Sequence, residues 1–455
     1  LGAESEAPFS FPFGRANECR PKAERECTVG GAHAFILRIS RVFGLAPLKF
    51  EARGAGWAVR VSPTASLYSY LLVTALVVGT VWGLCAEMRA GTSASPRMSS
   101  RTAQLVSACD VLVVALTAAA AVYHAPERMR IIIAFMDIVA DVDESIGAQY
   151  SRARERRLSC VMLAILVFFT LLVADDFCFY ALQAKKIDRH WEVVRNYCGF
   201  YLLWFVVIVL ELQFAFTALS VRARFRALND ALALTADQLC RPDERGALNV
   251  FAVHVCPRTR GHWRGPALTP IRNQLIIRRG KSSCGRLAVP AGEALGRLAV
   301  LHGALCEVLR QLDAAYGLPL ALLLLSTLMH LIVTPYFFIM EIIVSTHRIH
   351  FLVLQFLWCA THVLRMLVVV EPCHYTITEG RRTAELVCRL LRVAASGRVA
   401  ALNGRLDLFS RQLALQSICY SPMGVCTLGR PLVASIFGAV TTYLVILIQF
   451  QRYDA

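Results

Sequence analysis

Six ionisable residues, Asp110, Asp175, Asp176, Glu211, Arg365 and Glu371, lie within or at the ends of stretches that are otherwise apolar. Inside a bilayer such a residue costs about 3 kcal/mol, so it marks either a functional position or an interhelical ion pair. Asp175–Asp176 suits attraction of cations or binding of a polar ligand, with a solvated helix end as the plain alternative. Glu211 and Arg365 suit one another as a salt bridge. The same stretches carry Tyr201, Trp204, His330, Tyr336, Gln355 and Trp358. Aromatic surroundings with a few polar groups are what small-molecule pockets are made of, although aromatics also anchor spans at membrane interfaces. With Asp110, Asp175 and Asp176 these form the candidate ligand set.

Other chemistry is missing from the sequence. There is no Walker A, H-E-x-x-H, G-x-S-x-G or dinucleotide glycine pattern, so an enzyme or primary pump is not expected, nor any cofactor or metal. The sixteen cysteines include no C-x-x-C pair and mostly sit in apolar surroundings, where Cys behaves as a small hydrophobe. Pairing of Cys178 with Cys198 is left open. His347 and His350 fall near one membrane face without a Cys or acidic partner, and read as interfacial.

These residues must be positioned by membrane helices. Of the 455 residues, 56% are hydrophobic and 18% charged, and the apolar ones cluster in blocks long enough to cross a bilayer as helix, roughly 20 residues each. Seven such blocks fall at 66–86, 103–124, 158–180, 197–219, 317–340, 350–370 and 428–450. The class is therefore all-α and multi-pass, expected in the plasma membrane and in contact with lipid. A net charge of +16 is assigned to loops facing anionic lipid rather than to nucleic acid, because no compact basic domain stands apart from the spans. Segments 1–65, 125–157 and 371–427 carry nine, six and seven Lys or Arg, 22 in all; 87–102, 181–196, 341–349 and 451–455 carry three, four, one and one, 9 in all. The basic side is the cytoplasmic one, which puts the N-terminus inside and the C-terminus outside. Residues 1–30 show no apolar signal core, so no cleavable signal peptide is read there.

The chain divides into an N-terminal cytoplasmic segment (1–65), helices 1–4 with their extensions (66–240), a flexible loop or insert (241–286), a cytoplasmic helix with helices 5 and 6 (287–370), and an anchor helix with helix 7 (371–455). Amphipathic faces run through 126–156 (Ile131, Ile132, Phe135, Ile138, Val142), 287–316 (Leu295, Leu298, Leu301, Leu305, Val308, Leu309, Leu312) and 383–418 (Leu386, Leu390, Val393, Leu406, Phe409, Leu413). Three such faces imply an intracellular bundle.

The chain closes on Thr442-Tyr443, five apolar residues and Gln449-Phe450. This resembles the T-Y-(five hydrophobic)-Q-F signature of insect gustatory receptors, relatives of insect odorant receptors. Glu211-Leu212-Gln213-Phe214 leading into Arg224-Phe225-Arg226-Ala227-Leu228-Asn229, and Cys373 followed by Thr383-Ala384-Glu385, agree with it. The resemblance, over about residues 36–455, implies a tetrameric tastant-gated cation channel, homomeric or heteromeric. It implies a pore lined by the last helix and narrowed by Gln449 and Phe450, and a ligand pocket in each subunit's outer half. Thr442 and Tyr443 are motif residues, with Tyr443 expected to pack on neighbouring helices. Leu444 replaces the Glu usual in sugar-receptor relatives, which favours a bitter-type or broadly tuned receptor and leaves a fructose-type sensor open. The alternative is a heptahelical receptor signalling through G proteins; it needs the opposite orientation. A secondary transporter lacks the inverted repeat it would need.

Overall fold

The computed structural model describes residues 27–53, 56–91, 95, 97–98, 101–146, 152–240, 276–278, 285–287, 291–344, 349–395 and 402–454. Among the described residues, seven helices are long and apolar enough to cross a membrane, and each contains most or all of one expected span. They are α2 (Pro63–Ala90), α3 (Arg101–Tyr123), α5 (Arg152–Lys185), α6 (His190–Cys240), α7 (Ala291–Val344), α8 (Ile349–Val393) and α10 (Arg430–Asp454). The shorter helices α1 (Gly31–Val42), α4 (Ala125–Ile146) and α9 (Asn403–Leu415) complete the set. Apolar side chains such as Leu71 and Trp82 on α2, Leu171 on α5 and Val445 on α10 are exposed, as the lipid-facing surface of a multi-pass membrane protein requires.

The spans run longer than their apolar cores because α7 and α8 continue unbroken into amphipathic segments and α6 runs on to Cys240. At 1.5 Å per residue, the 51 residues of α6 reach about 75 Å, more than twice the hydrocarbon thickness. Where these extensions gather, which we call the extension end, all seven residues of the expected face on α7 are buried. On α4, Ile132, Phe135 and Val142 are buried, and on α9 so are Leu406 and Phe409. The segment 383–418 is not one helix: its first part is the end of α8, and α9 is separate. Between α9 and α10 the chain passes through a 3-10 turn, Pro422–Gly424, with Met423 and Gly424 at φ 52° and 72°.

Sequence periodicity did not reveal the small antiparallel sheet at the extension end. It comprises β1 (Cys27–Val29), β2 (Leu48–Arg53) and β3 (Gly56–Val61) in the order β1-β3-β2, with Cys27 opposite Val59 and Leu48 opposite Val61. Strands this short leave too few alternations to be read beside helical blocks. In the expected loop 241–286, β4 (Ile276–Arg278) pairs with β5 (Gly285–Leu287); 241–275 and 279–284 lie outside the described residues.

α6 is the centre of the bundle, with 83% of its apolar window buried. One reason is a close crossing with α2. A Cβ on Gly83 would stand 2.1 Å from the Asn196 carbonyl oxygen, so the two backbones meet where a side chain cannot fit. Gly199 of α6 meets α2 in the same way, where a Cβ would stand 2.8 Å from Thr80 Oγ1 and 3.2 Å from the Leu76 carbonyl, so small residues on both helices permit the approach.

Candidate functional site

On α6, Tyr197, Tyr201, Trp204, Ile208 and Glu211 follow one another at intervals of three or four and so share one stripe. On α8, Trp358, His362 and Arg365 do the same. Where the stripes face each other, with Asp110 from α3, Asp176 from α5 and His330 from α7, they build a buried polar ladder through the bundle.

At the ladder's foot, Arg365 donates through a terminal nitrogen to Glu211 Oε1 at 2.6 Å and through Nε to Oε2 at 3.2 Å, with side chains 3% and 2% exposed. The pair is bidentate, the geometry that best offsets desolvation of both charges. A recess of about 20 Å³ beside it, lined by Ile208, Thr361 and Phe169 among others, has room for one water. Arg365 also lies 4.6 Å from the ring of Trp204 and 3.4 Å from Nδ1 of His362. His362 stacks on His330 at 4.7 Å and on Trp358 at 5.5 Å.

Higher up, His330 approaches Asp110 Oδ1 through Nε2 at 2.5 Å, and its Nδ1 faces the Ser326 carbonyl. Both ring nitrogens thus face oxygen atoms of neighbouring groups. Asp110 accepts a second bond from Arg97 at 3.2 Å. Asp176 accepts from the Tyr201 hydroxyl and from Trp358 Nε1 at 3.2 Å. Tyr201 in turn accepts from Arg97 at 3.4 Å. Trp204 sits in the middle, 4.9 Å from His330 and 5.5 Å from Trp358. Burial alone would pull the pKa of Arg97 down, but the oxygens of Tyr201, Tyr180, Asp110 and Asp176 outweigh it and hold the guanidinium above its ordinary value.

The structure therefore brings together Asp110, Asp176, Tyr201, Trp204, His330 and Trp358. Asp175 points away: as the next residue on α5 it faces the surface and meets His350 at 3.2 Å. His347 lies outside the described residues. Tyr336 and Gln355 are buried; Tyr336 sits edge-on to Phe337 at 5.4 Å, and neither residue joins the contacts just described. The expected Glu211–Arg365 pair is present. Cys178 and Cys198 are both free and exposed. Arg97 and His362 were missed. His362 was legible, since Trp358, His362 and Arg365 follow a helical repeat. Arg97 was not, because nothing in a loop sequence says that its side chain turns inward.

Below the ladder, Leu331 and Met366, the chain neighbours of His330 and Arg365, form a separate apolar cluster with Val370 and with Ile436 and Val440 of α10. Gln449 near the end of α10 is exposed, and the side chain of Phe450 lies outside the described residues. Thr442 bonds back to the Gly438 carbonyl at 3.0 Å. Tyr443, expected to pack on neighbouring helices, is 54% exposed in the single chain, because α10 stands at the edge of the bundle.

A seven-span helical bundle with a buried aromatic and polar site defines a multi-pass membrane protein. The family described as 7tm Chemosensory receptor matches residues 33–453, and the chain belongs to it. The gustatory receptor for sugar taste 43a of Drosophila melanogaster is 29% identical over 430 residues, covering 92% of this chain and 97% of that protein. The olfactory receptor OR5 of Machilis hrabei, solved alone and in complex with eugenol, has the same fold. Each structure gives a TM-score of 0.59 at 12% identity, over 92% of this chain and 97% of the other.

Proposed function

We propose that this gustatory receptor family member is a subunit of a tastant-gated, poorly selective cation channel in the plasma membrane, and that its ligand is a small sugar held by the upper part of the ladder. The observation that carries the reading is the gathering of Asp110, Asp176, Tyr201 and His330 around Trp204 and Trp358. Sugar hydroxyls donate to carboxylates, and sugar C–H faces pack on indole rings. Leu444 alone favours a bitter-type or broadly tuned receptor. The near full-length similarity to a receptor named for sugar taste, together with this polar lining, supports the sugar reading instead.

The excess of basic residues supports an orientation with the extension end in the cytoplasm and the ladder toward the outer face. Four subunits, of this chain or of related ones, would surround a pore lined by α10. Gln449 and Phe450 would narrow it near the outer mouth: a ring of Phe closes by dewetting, and an amide can solvate a passing ion. The apolar contact of Leu331 and Met366 with Ile436 and Val440 gives the ladder a mechanical route to α10.

The test is current recorded from cells expressing the chain, with G-protein signalling blocked, while a panel of sugars and bitter compounds is applied. Sugar-evoked current that is lost in Asp176→Asn and Trp358→Ala at normal surface labelling is the expected result. Responses to bitter compounds alone would overturn the ligand class, and absence of any evoked current would overturn the channel reading.

A further inference from the structure

Arg97 enters the upper ladder from the segment between α2 and α3 rather than from a bundle helix. Its side chain is 18% exposed, and its guanidinium carbon lies 5.5 Å from the ring of Tyr180, 5.5 Å from Tyr197, 4.9 Å from Phe200 and 6.0 Å from Tyr201. It donates to Asp110 at 3.2 Å and to Tyr201 at 3.4 Å. Aromatic faces around a cation, with a carboxylate behind them, are the chemistry by which proteins hold organic cations. Here the cation is part of the chain.

The charges around it argue the same way. Asp110 and Asp176 supply two carboxylates. Arg365 already answers Glu211, and His330 answers Asp110 from the other side. Withdrawing Arg97 leaves the cage with more negative charge than its remaining partners offset. Tyr201 and Asp110 are also two of the groups assigned above to the sugar, so a ligand that reaches them has to take hydrogen bonds that Arg97 now makes.

We infer that Arg97 is a built-in occupant of the candidate ligand cage, a tethered guanidinium that an incoming tastant displaces, and that the emptied cage accepts small organic cations of the guanidinium class. The first part rests on the ligand site proposed above; the second does not. Apparent affinity is lowered by the fraction of receptors whose site is competent. An occupant present about nine-tenths of the time therefore costs the ligand about tenfold.

Two measurements on the full chain test this. In the first, receptor purified in detergent is unfolded thermally with increasing methylguanidinium against a matched sodium series. Arg97→Ala gains stability saturably while the wild type does not; an Arg97→Ala protein indifferent to methylguanidinium overturns the inference. In the second, sugar-evoked current in Arg97→Ala moves to about tenfold lower concentration, and methylguanidinium moves it back competitively. A shift to higher sugar concentration, or loss of response at normal surface labelling, overturns the displacement step and makes Arg97 a sugar contact. A wild type without sugar-evoked current sinks the proposed function, and the unfolding experiment still judges the cage. Should Arg97→Ala not fold, Arg97→Lys serves. Its compact ammonium lacks the planar fork, so it gives a smaller shift in the same direction and partial protection by methylguanidinium; wild-type behaviour in both measurements overturns the inference.

Discussion

α6 and α10 are both apolar enough to cross a membrane, yet 83% of one span's window is buried inside the chain and 11% of the other's. Apolar composition tells a helix to enter the bilayer; it does not tell it which surface to meet there. α6 meets its own chain on nearly every side and carries five rungs or neighbours of the polar ladder. α10 leans on α7 and α8 through a small cluster and leaves Phe437, Tyr443 and Val445 uncovered. One helix is suited to holding a site in place, the other to moving against it.

The contrast can be broken most sharply at the buried ion pair of α6. Arg365→Ala leaves Glu211 charged and unpaired, and should cost about 3–5 kcal/mol, seen as loss of folded, monodisperse receptor. Glu211→Leu combined with Arg365→Met should recover much of it, and a single variant as stable as the wild type would remove α6 from its central role. A smaller effect is expected from glycines. Gly83→Ala forces a methyl toward the Asn196 backbone and should lower stability by about 1–3 kcal/mol. Gly438→Ala on α10, where a Cβ meets nothing within 4 Å, should leave stability unchanged or raise it by up to about 1 kcal/mol. Equal thermal shifts for the two would erase the distinction between the helices.

On α10 the readout changes from stability to current. Phe450→Ala should raise basal leak with surface labelling unchanged; currents identical to wild type would count against the constriction.

The smallest effect is expected from His33 of α1, whose ring meets Phe216 of α6 edge-on at 4.5 Å. Burial, and then the charge of Arg224, lower its pKa from 6.5 to about 3. The unfolded chain takes up a proton below 6.5 and the folded one does not until about 3, so this contribution to stability is complete above that window and lost as pH falls through it. His33→Gln should flatten the fall in thermal stability between those limits; an unchanged pH profile would place the ring in water.

Much of this architecture was legible because membrane helices write their length and polarity openly. The seven spans, the buried faces of α4, α7 and α9, and the Glu211–Arg365 pair all follow from spacing and from the cost of burying charge. Six of the nine ligand candidates meet in one cluster for the same reason. The rest depends on direction. Asp175 and Asp176 are adjacent in sequence, yet one meets the surface and the other the cluster, which requires knowing how α5 is rotated. Tyr443 sits in the most distinctive motif, yet its surroundings are set by the position of α10, which no local pattern encodes. Arg97 needed the path of a loop.

The unbroken course of α6 has a consequence for communication. The helix that holds Tyr201 and Trp204 also holds Arg224, bonded to Asp143 of α4 at 2.7 Å, and Asn229, bonded to Glu379 of α8 at 3.1 Å. It contains no proline, so no missing N–H interrupts its backbone ladder and the helix is a continuous rod. Thermodynamic linkage is reciprocal: a ligand that biases the rod from one end makes that end sensitive to whatever biases the other. If the ladder holds the tastant as proposed, a change of charge or docking at the Arg224 end would then retune the tastant threshold without approaching the tastant.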